Sequence, residues 1–268
     1  MQYDNESRYA LLPAYLVLDT SVSMSEDNAF ESAFEFLPRL LSEMNKSAVV
    51  NDKLRVEVIT FDEDAKVVFP LGTRDELKNW LEDKERAPIT PSGNWTKYGA
   101  AFEKLREEIE LGVRQIRSEN YEGEYFIAYR PVVFFITDGD PNDDVNDRNA
   151  AFARLTDAGF KARPNIVCVG VGKATMEKLK DYGAGRYESP GGGYATGNGK
   201  LALVSKDGVS PAAALGIIIP ALVQSIITSI GSARASGGAG DGDGMEDPFG
   251  GGGDDLFDED VFDVFEQD

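Results

Sequence analysis

Two hydrophobic rhythms alternate along this chain. Tyr15–Leu18 is a short, unbroken apolar run, which reads as a buried strand. From about Asn28 to Ser47, Phe30, Phe34, Leu37, Leu40, Leu41 and Met44 recur at helical spacing. Arg55–Phe61 and Lys66–Leu71 alternate with period two around Asp62-Glu63-Asp64-Ala65, the pattern of a hairpin. Thr73 can cap a short helix through Leu81, with Asp75 and Glu76 in the first turn, where the helix dipole favours acids. Lys97–Arg117 returns to helical spacing through Ala101, Leu105, Ile109 and Val113.

Pro131–Thr137 has almost no polar alternation, as a strand covered on both faces requires. Asn149–Ala158 reads as a helix, Ile166–Val171 as another buried strand and Thr175–Tyr182 as a short helix. Residues 183–199 are rich in glycine and read as irregular, and Leu201–Val204 as an edge strand. The order predicts an α/β fold: a Rossmann-like, doubly wound, mostly parallel sheet with one antiparallel hairpin strand and helices on both faces.

Residues 211–233 carry no charge and approach the length of a membrane span. Pro220 interrupts them, and Gln224, Ser225, Thr228 and Ser232 gather on one face, so a helix packed on the sheet is the expectation. From Ser236 the chain turns Gly- and Asp-rich and cannot build a core. Its end, Asp254 to Phe265, sets Leu256-Phe257, Val261-Phe262 and Val264-Phe265 among acids. It reads either as a solubilising tail or as a tethered peptide that docks its phenylalanines.

Net charge is −20; residues 236–268 hold 12 Asp or Glu and no Lys or Arg, leaving −8 on the body. That balance argues against nucleic-acid binding, which needs basic surface, and favours metal ions or basic protein partners. The chain has no histidine, which removes Ser-His and Cys-His catalysis and His-bearing zinc sites. The single cysteine, Cys168, sits in an apolar run as a core residue. With no signal-like amino terminus, a cytoplasmic location is expected.

Where Tyr15–Leu18 stops, Asp19, Ser21 and Ser23 place a carboxylate and two hydroxyls on one turn. Only hard oxygens are offered there, and these suit Mg²⁺. Thr96 precedes the long helix, and Asp138 ends the buried Pro131–Thr137 run. In an open parallel sheet, ligands bind beyond the carboxyl ends of the strands where strand order reverses. Asp19 and Asp138 face one crevice if their strands flank that point.

These three segments resemble the von Willebrand factor A-type domain and its metal-ion-dependent adhesion site: Asp-x-Ser-x-Ser, a distant Thr and a later Asp. The resemblance covers about residues 10–235, with 236–268 as tail. It looks closest to the bacterial intracellular branch typified by the tellurium-resistance protein TerY, on Tyr15–Ser21, Val58–Asp62 and Ile136–Gly139. It implies that Ser21, Ser23 and Thr96 give hydroxyl ligands to Mg²⁺ (or Mn²⁺ or Ca²⁺), and that Asp19 and Asp138 act mostly through bound water. It further implies a site that captures an Asp or Glu of a protein partner, such as a kinase, a phosphatase or an AAA-type ATPase in a stress-response operon, without catalysis.

Val22 departs from the family's usual glycine. Asp140, Asp143 and Asp144 read as a helix-leading acidic loop or as additions to the cation site, Asp62–Asp64 as a solvated turn, and Trp95 as a rim or packing residue. The rival reading is a phosphohydrolase of haloacid-dehalogenase type. It needs a second Asp two residues after the first, where this chain has Ser21. The tail offers a third idea, in which Asp258, Asp260 or Asp263 inserts into the metal site of the same or a neighbouring copy.

Overall fold

A computed structural model describes residues 9–46, 48–121, 124–186, 194–197, 201–205, 209–210, 213, 216, 220 and 262–264. Its sheet runs β11-β10-β7-β6-β1-β2-β3. The strands are β1 (Tyr9–Asp19), β2 (Leu54–Phe61), β3 (Ala65–Gly72), β4 (Asn120–Tyr121), β5 (Glu124–Ala128), β6 (Val132–Thr137), β7 (Asn165–Gly170), β8 (Ala184–Arg186), β9 (Tyr194–Thr196), β10 (Ala202–Ser205) and β11 (Phe262–Val264). The helices are α1 (Ala29–Phe34), α2 (Phe36–Met44), α3 (Ala48–Lys53), α4 (Arg74–Glu82), α5 (Tyr98–Ser118), α6 (Val145–Thr156) and α7 (Met176–Leu179).

β1 pairs in parallel with β2 on one side and β6 on the other, and β6 with β7. β2 and β3 form the expected antiparallel hairpin. The chain leaves β1 toward β2, and later leaves β6 toward β7 in the opposite direction, so strand order reverses between β1 and β6. Asp19 and Thr137 end those two strands.

Alternation along β1 fills both layers. Leu12, Ala14, Leu16 and Leu18 pack with Phe30, Phe36, Leu37, Leu40 and Leu77 from α1, α2 and α4. Leu11, Tyr15 and Val17 pack on the other face with Phe102, Leu105, Ile109 and Phe152 from α5 and α6. β6 and β7 are buried throughout, which is why they read as continuous apolar runs. Cys168 is fully buried in this core, and burial pushes its thiol well above the ordinary range.

Several elements differ from the sequence reading. The helix expected over Asn28–Ser47 is two pieces, α1 and α2, with a separate α3 starting at Ala48. Pro38 has no N–H to give the Phe34 carbonyl, and its ring crowds that position, so α1 and α2 break at Glu35. Residues 183–199 hold β8 and β9, which pair antiparallel, instead of an irregular stretch. β1 starts six residues before Tyr15, and α6 starts at Val145 because Asp144 caps it, accepting from the Asn146 and Asp147 N–H groups. Thr73 caps α4 as expected, and Glu76 completes a capping box in which each side chain bonds the other's backbone N–H.

The 211–233 helix lies outside the described residues except Ala213, Gly216 and Pro220. Among the described residues no helix is long and apolar enough to cross a membrane.

Candidate metal centre

Asp19 is wholly buried at the end of β1, yet both of its oxygens are engaged. The Ser21 N–H donates to Oδ1 at 2.8 Å and the Thr137 hydroxyl to Oδ2 at 2.6 Å. Ser21 and Ser23 hydroxyls lie 3.0 Å apart, and Ser23 donates to Asp138 Oδ1 at 2.8 Å. A methyl group built on Gly139 would stand 3.3 Å from Thr96 Oγ1 and 3.7 Å from Ser23 Oγ, which places the third hydroxyl in the same cluster. All five residues singled out from the sequence (Asp19, Ser21, Ser23, Thr96 and Asp138) therefore meet at the reversal point of the sheet.

Two carboxylates taken out of water beside each other resist ionising. Desolvation raises the Asp138 carboxyl to about 6, and the nearby Asp19 charge adds to the rise. Asp19 is also raised, mainly by burial, against the lowering effect of its Thr137 and Ser21 bonds. Among the described residues neither forms an ion pair, and no cluster of three or more His, Cys, Asp or Glu side chains gathers to hold a metal. The donor set is instead two carboxylates with three neutral hydroxyls, a hard-oxygen set that fits a divalent cation such as Mg²⁺. Because protons compete for the same oxygens, cation affinity should fall about tenfold per pH unit once pH drops below about 6. Calorimetric titration between pH 5 and 8 checks this.

The support around these residues was not read from the sequence. Thr137 fixes Asp19 from the neighbouring strand. The Asn142 side chain accepts the Thr96 N–H at 2.9 Å, and the Thr96 carbonyl accepts the Asn142 N–H at 3.1 Å, clasping two ligand-bearing loops. Tyr98, fully buried, donates to the Gly139 carbonyl at 2.9 Å from within an aromatic cluster with Phe61, Phe102, Phe135 and Tyr182. Only Thr137 and Tyr98 left any sequence signal, as polar residues at the end of a buried strand and the start of an amphipathic helix.

The Ser21–Ser23 turn hangs on the loop before Thr96. Val22 N–H donates to the Gly93 carbonyl at 2.7 Å, and Ser92 and Gly93 N–H groups donate to the Thr20 carbonyl at 2.9 and 3.1 Å. Val22 itself is 55% exposed, so its side chain is accommodated in solvent. A Cβ on Gly93 would sit 2.2 Å from Asp62 Cβ. Gly93→Ala should push that strand of loop outward and weaken cation binding by at least about tenfold while the core stays folded; titration calorimetry beside a thermal melt separates the two.

The other acids sort by partner. Asp62 is more than a solvated turn: its carboxylate receives the Glu63 N–H and the Thr20 hydroxyl and lies against Gly93. Asp143 accepts the Gly99 N–H and pairs with Arg148 at 2.7 Å, Asp144 caps α6, and Asp140 pairs with Lys178. None of these three is free to add to the cation cluster in this arrangement. Trp95, 45% exposed beside Thr96, has Lys97 Nζ 5.6 Å from its ring. Of the tail acids, Asp263 lies in β11 at the far edge of the sheet, three strands from β6, while Asp258 and Asp260 are outside the described residues.

The sequence model of the von Willebrand factor type A domain matches residues 15–189. The chain belongs to the von Willebrand factor type A domain family. A search of curated proteins found no match. Among solved structures, proximal thread matrix protein 1 from the mussel byssus is similar at TM-score 0.53 and 16% identity, over 79% of this chain and 48% of that one. The same mussel protein with a zinc-occupied adhesion-site motif is similar at TM-score 0.50 and 14% identity, over 80% of this chain and 48% of that one. This type A chain thus spans about half the length of those neighbours, and at such identities the likeness concerns the fold alone.

Proposed function

We propose that this type A domain is a metal-dependent protein-binding module, in which one divalent cation, Mg²⁺ by preference, presents a coordination position to an Asp or Glu of a partner protein. The observation that carries it is the convergence, from three separate loops, of two buried carboxylates that form no ion pair among the described residues and three hydroxyls. Ser21, Ser23 and Thr96 would contact the ion directly, and Asp19 and Asp138 would hold its water and balance its charge. When bound, the cation supplies Lewis acidity toward an outside carboxylate. Because the nearest ligands are mostly neutral, that acidity stays high. The zinc reported in the mussel neighbour's motif fits a divalent-cation reading.

The module binds and does not catalyse. A phosphohydrolase of haloacid-dehalogenase type needs a carboxyl group two residues after Asp19 to move the proton, and Ser21 stands there. The TerY-like features of Tyr15–Ser21 and Ile136–Gly139 support a bacterial cytoplasmic setting in a stress-response or tellurium-resistance type of system, with a kinase, a phosphatase or an AAA-type ATPase as partner. Affinity capture from the native cell, with and without chelator, tests the reading. Wild type should retain a partner only with Mg²⁺ present, and Asp19→Ala should retain none; capture unchanged by chelator and by Asp19→Ala contradicts it.

A further inference from the structure

The open edge of a sheet is a row of unused N–H and C=O groups, ready to pair with any extended chain. Here the edge beyond β7 is formed by β10, and β10 does not end the sheet. Phe262–Val264, from the far end of the sequence, lies antiparallel to it as β11, with Leu203 opposite Val264, Val204 opposite Asp263 and Ser205 opposite Phe262. All four residues of β10 are buried. In sequence the docked segment alternates apolar, acidic, apolar, the period of a strand with two different faces.

The polarity of the pairing is informative. β10 runs parallel to β7, and so parallel to β6 and β1. Because β11 runs the other way, Phe262 enters at the carboxyl end of the sheet, the end that carries Asp19 and Asp138. α7 packs beside β10, with its Lys178 paired to Asp140.

We propose that the outer edge of β10 is a strand-docking site, and that its resident ligand is the chain's own Phe262–Val264, held in cis as an exchangeable strand. A ladder of three residues is short, and it closes a connection of 56 residues, 206–261. Membership of the same chain raises the local concentration of the strand. The result is a contact that covers the edge in the free protein and gives way to a competing strand of similar pattern. The tail is a ligand of its own domain at a place remote from the cation site.

The test uses the full chain. Successive N–H groups of a strand point alternately toward and away from its partner, so one of Asp263→Pro and Val264→Pro removes a ladder N–H to β10 and disfavours pairing. Amide exchange by NMR should show protection of the β10 amides that face β11 falling at least about tenfold in that variant, with β1 and β6 unchanged as the control for folding. Adding a synthetic peptide of residues 254–268 at millimolar concentration should restore protection in that variant and leave wild type unaltered. Unchanged β10 exchange in both variants overturns the proposal, as does protection that is lost but not restored by peptide. Protection of wild type that falls on dilution also overturns it, because the strand would then come from a second copy. Repeating the measurement in chelator must not change the outcome, so the result is independent of the cation reading.

Discussion

Asp138→Asn is expected to raise the melting temperature of the metal-free protein and to abolish the upward shift that Mg²⁺ gives the wild type. In the folded state Asp138 ionises at about 6, against an unfolded value near 3.8. The sign follows from linkage. A carboxyl group with a raised folded value stabilises most while it is protonated in both states. It loses that contribution as pH climbs from the unfolded to the folded value. At pH 7 the wild type has lost all of it, and the neutral amide has none to lose. A gain of about 1–2 kcal/mol is expected after discounting for residual solvent screening. Meanwhile the cation loses one of the two charges that hold it, so affinity should drop by about 100-fold or more. Thermal melts of both proteins with Mg²⁺ and with chelator give all four numbers. A variant that melts lower in chelator and still shifts with Mg²⁺ contradicts the assignment. The trade of stability for binding is what a site built from desolvated like charges should show.

Glu57→Gln should stabilise the protein most above neutral pH, with no effect on cation binding. Glu57 sits in β2 on the α5 face, 2% exposed, and its Oε1 has no hydrogen-bond partner among the described residues. Desolvation, followed by the neighbouring Glu108 charge, raises its carboxyl to about 8, against the lowering effects of the Leu71 backbone bond and Lys104. Its stabilising contribution is complete below about 4.5, declines as pH rises toward 8 and is flat beyond. The full span corresponds to a ceiling of about 5 kcal/mol, and a realised gain of about 2 kcal/mol for Gln at pH 8 is expected. Denaturant melts of wild type and variant from pH 5 to 9 should diverge steadily and then run parallel. Curves that stay parallel throughout would show that Glu57 does not titrate in this range.

The residues of the candidate cation site were legible in the sequence as one group because each sits at an abrupt change of hydrophobic pattern. Asp19 follows Tyr15–Leu18, Asp138 follows Pro131–Thr137, and Thr96 precedes a long amphipathic helix. Buried parallel strands make such boundaries sharp, and the topology then brings their carboxyl ends together. What holds those residues carried little signal. The Asn142–Thr96 clasp joins positions 46 residues apart, and Thr137 reaches Asp19 across 118. No local period encodes a hydrogen bond between loops. Gly93 matters because Asp62 fills the space a side chain would need, a steric fact visible only in three dimensions. The broken helix was readable from Pro38, but six apolar residues at helical spacing outweighed one proline in the reading. β8 and β9 escaped because the glycine-rich stretch around them hides short strands whose pairing comes from β7. β11 escaped because a three-residue strand amid acids has too short a pattern to stand out.

The central claim is that oxygens from three loops surround one divalent ion. Crystals grown in Mn²⁺, measured at a wavelength where manganese scatters anomalously, test it directly. The account predicts a single strong peak in contact with the Ser21, Ser23 and Thr96 hydroxyls, between Asp19 and Asp138. A map with no peak there, or with manganese bound only elsewhere on the acidic surface, would contradict it.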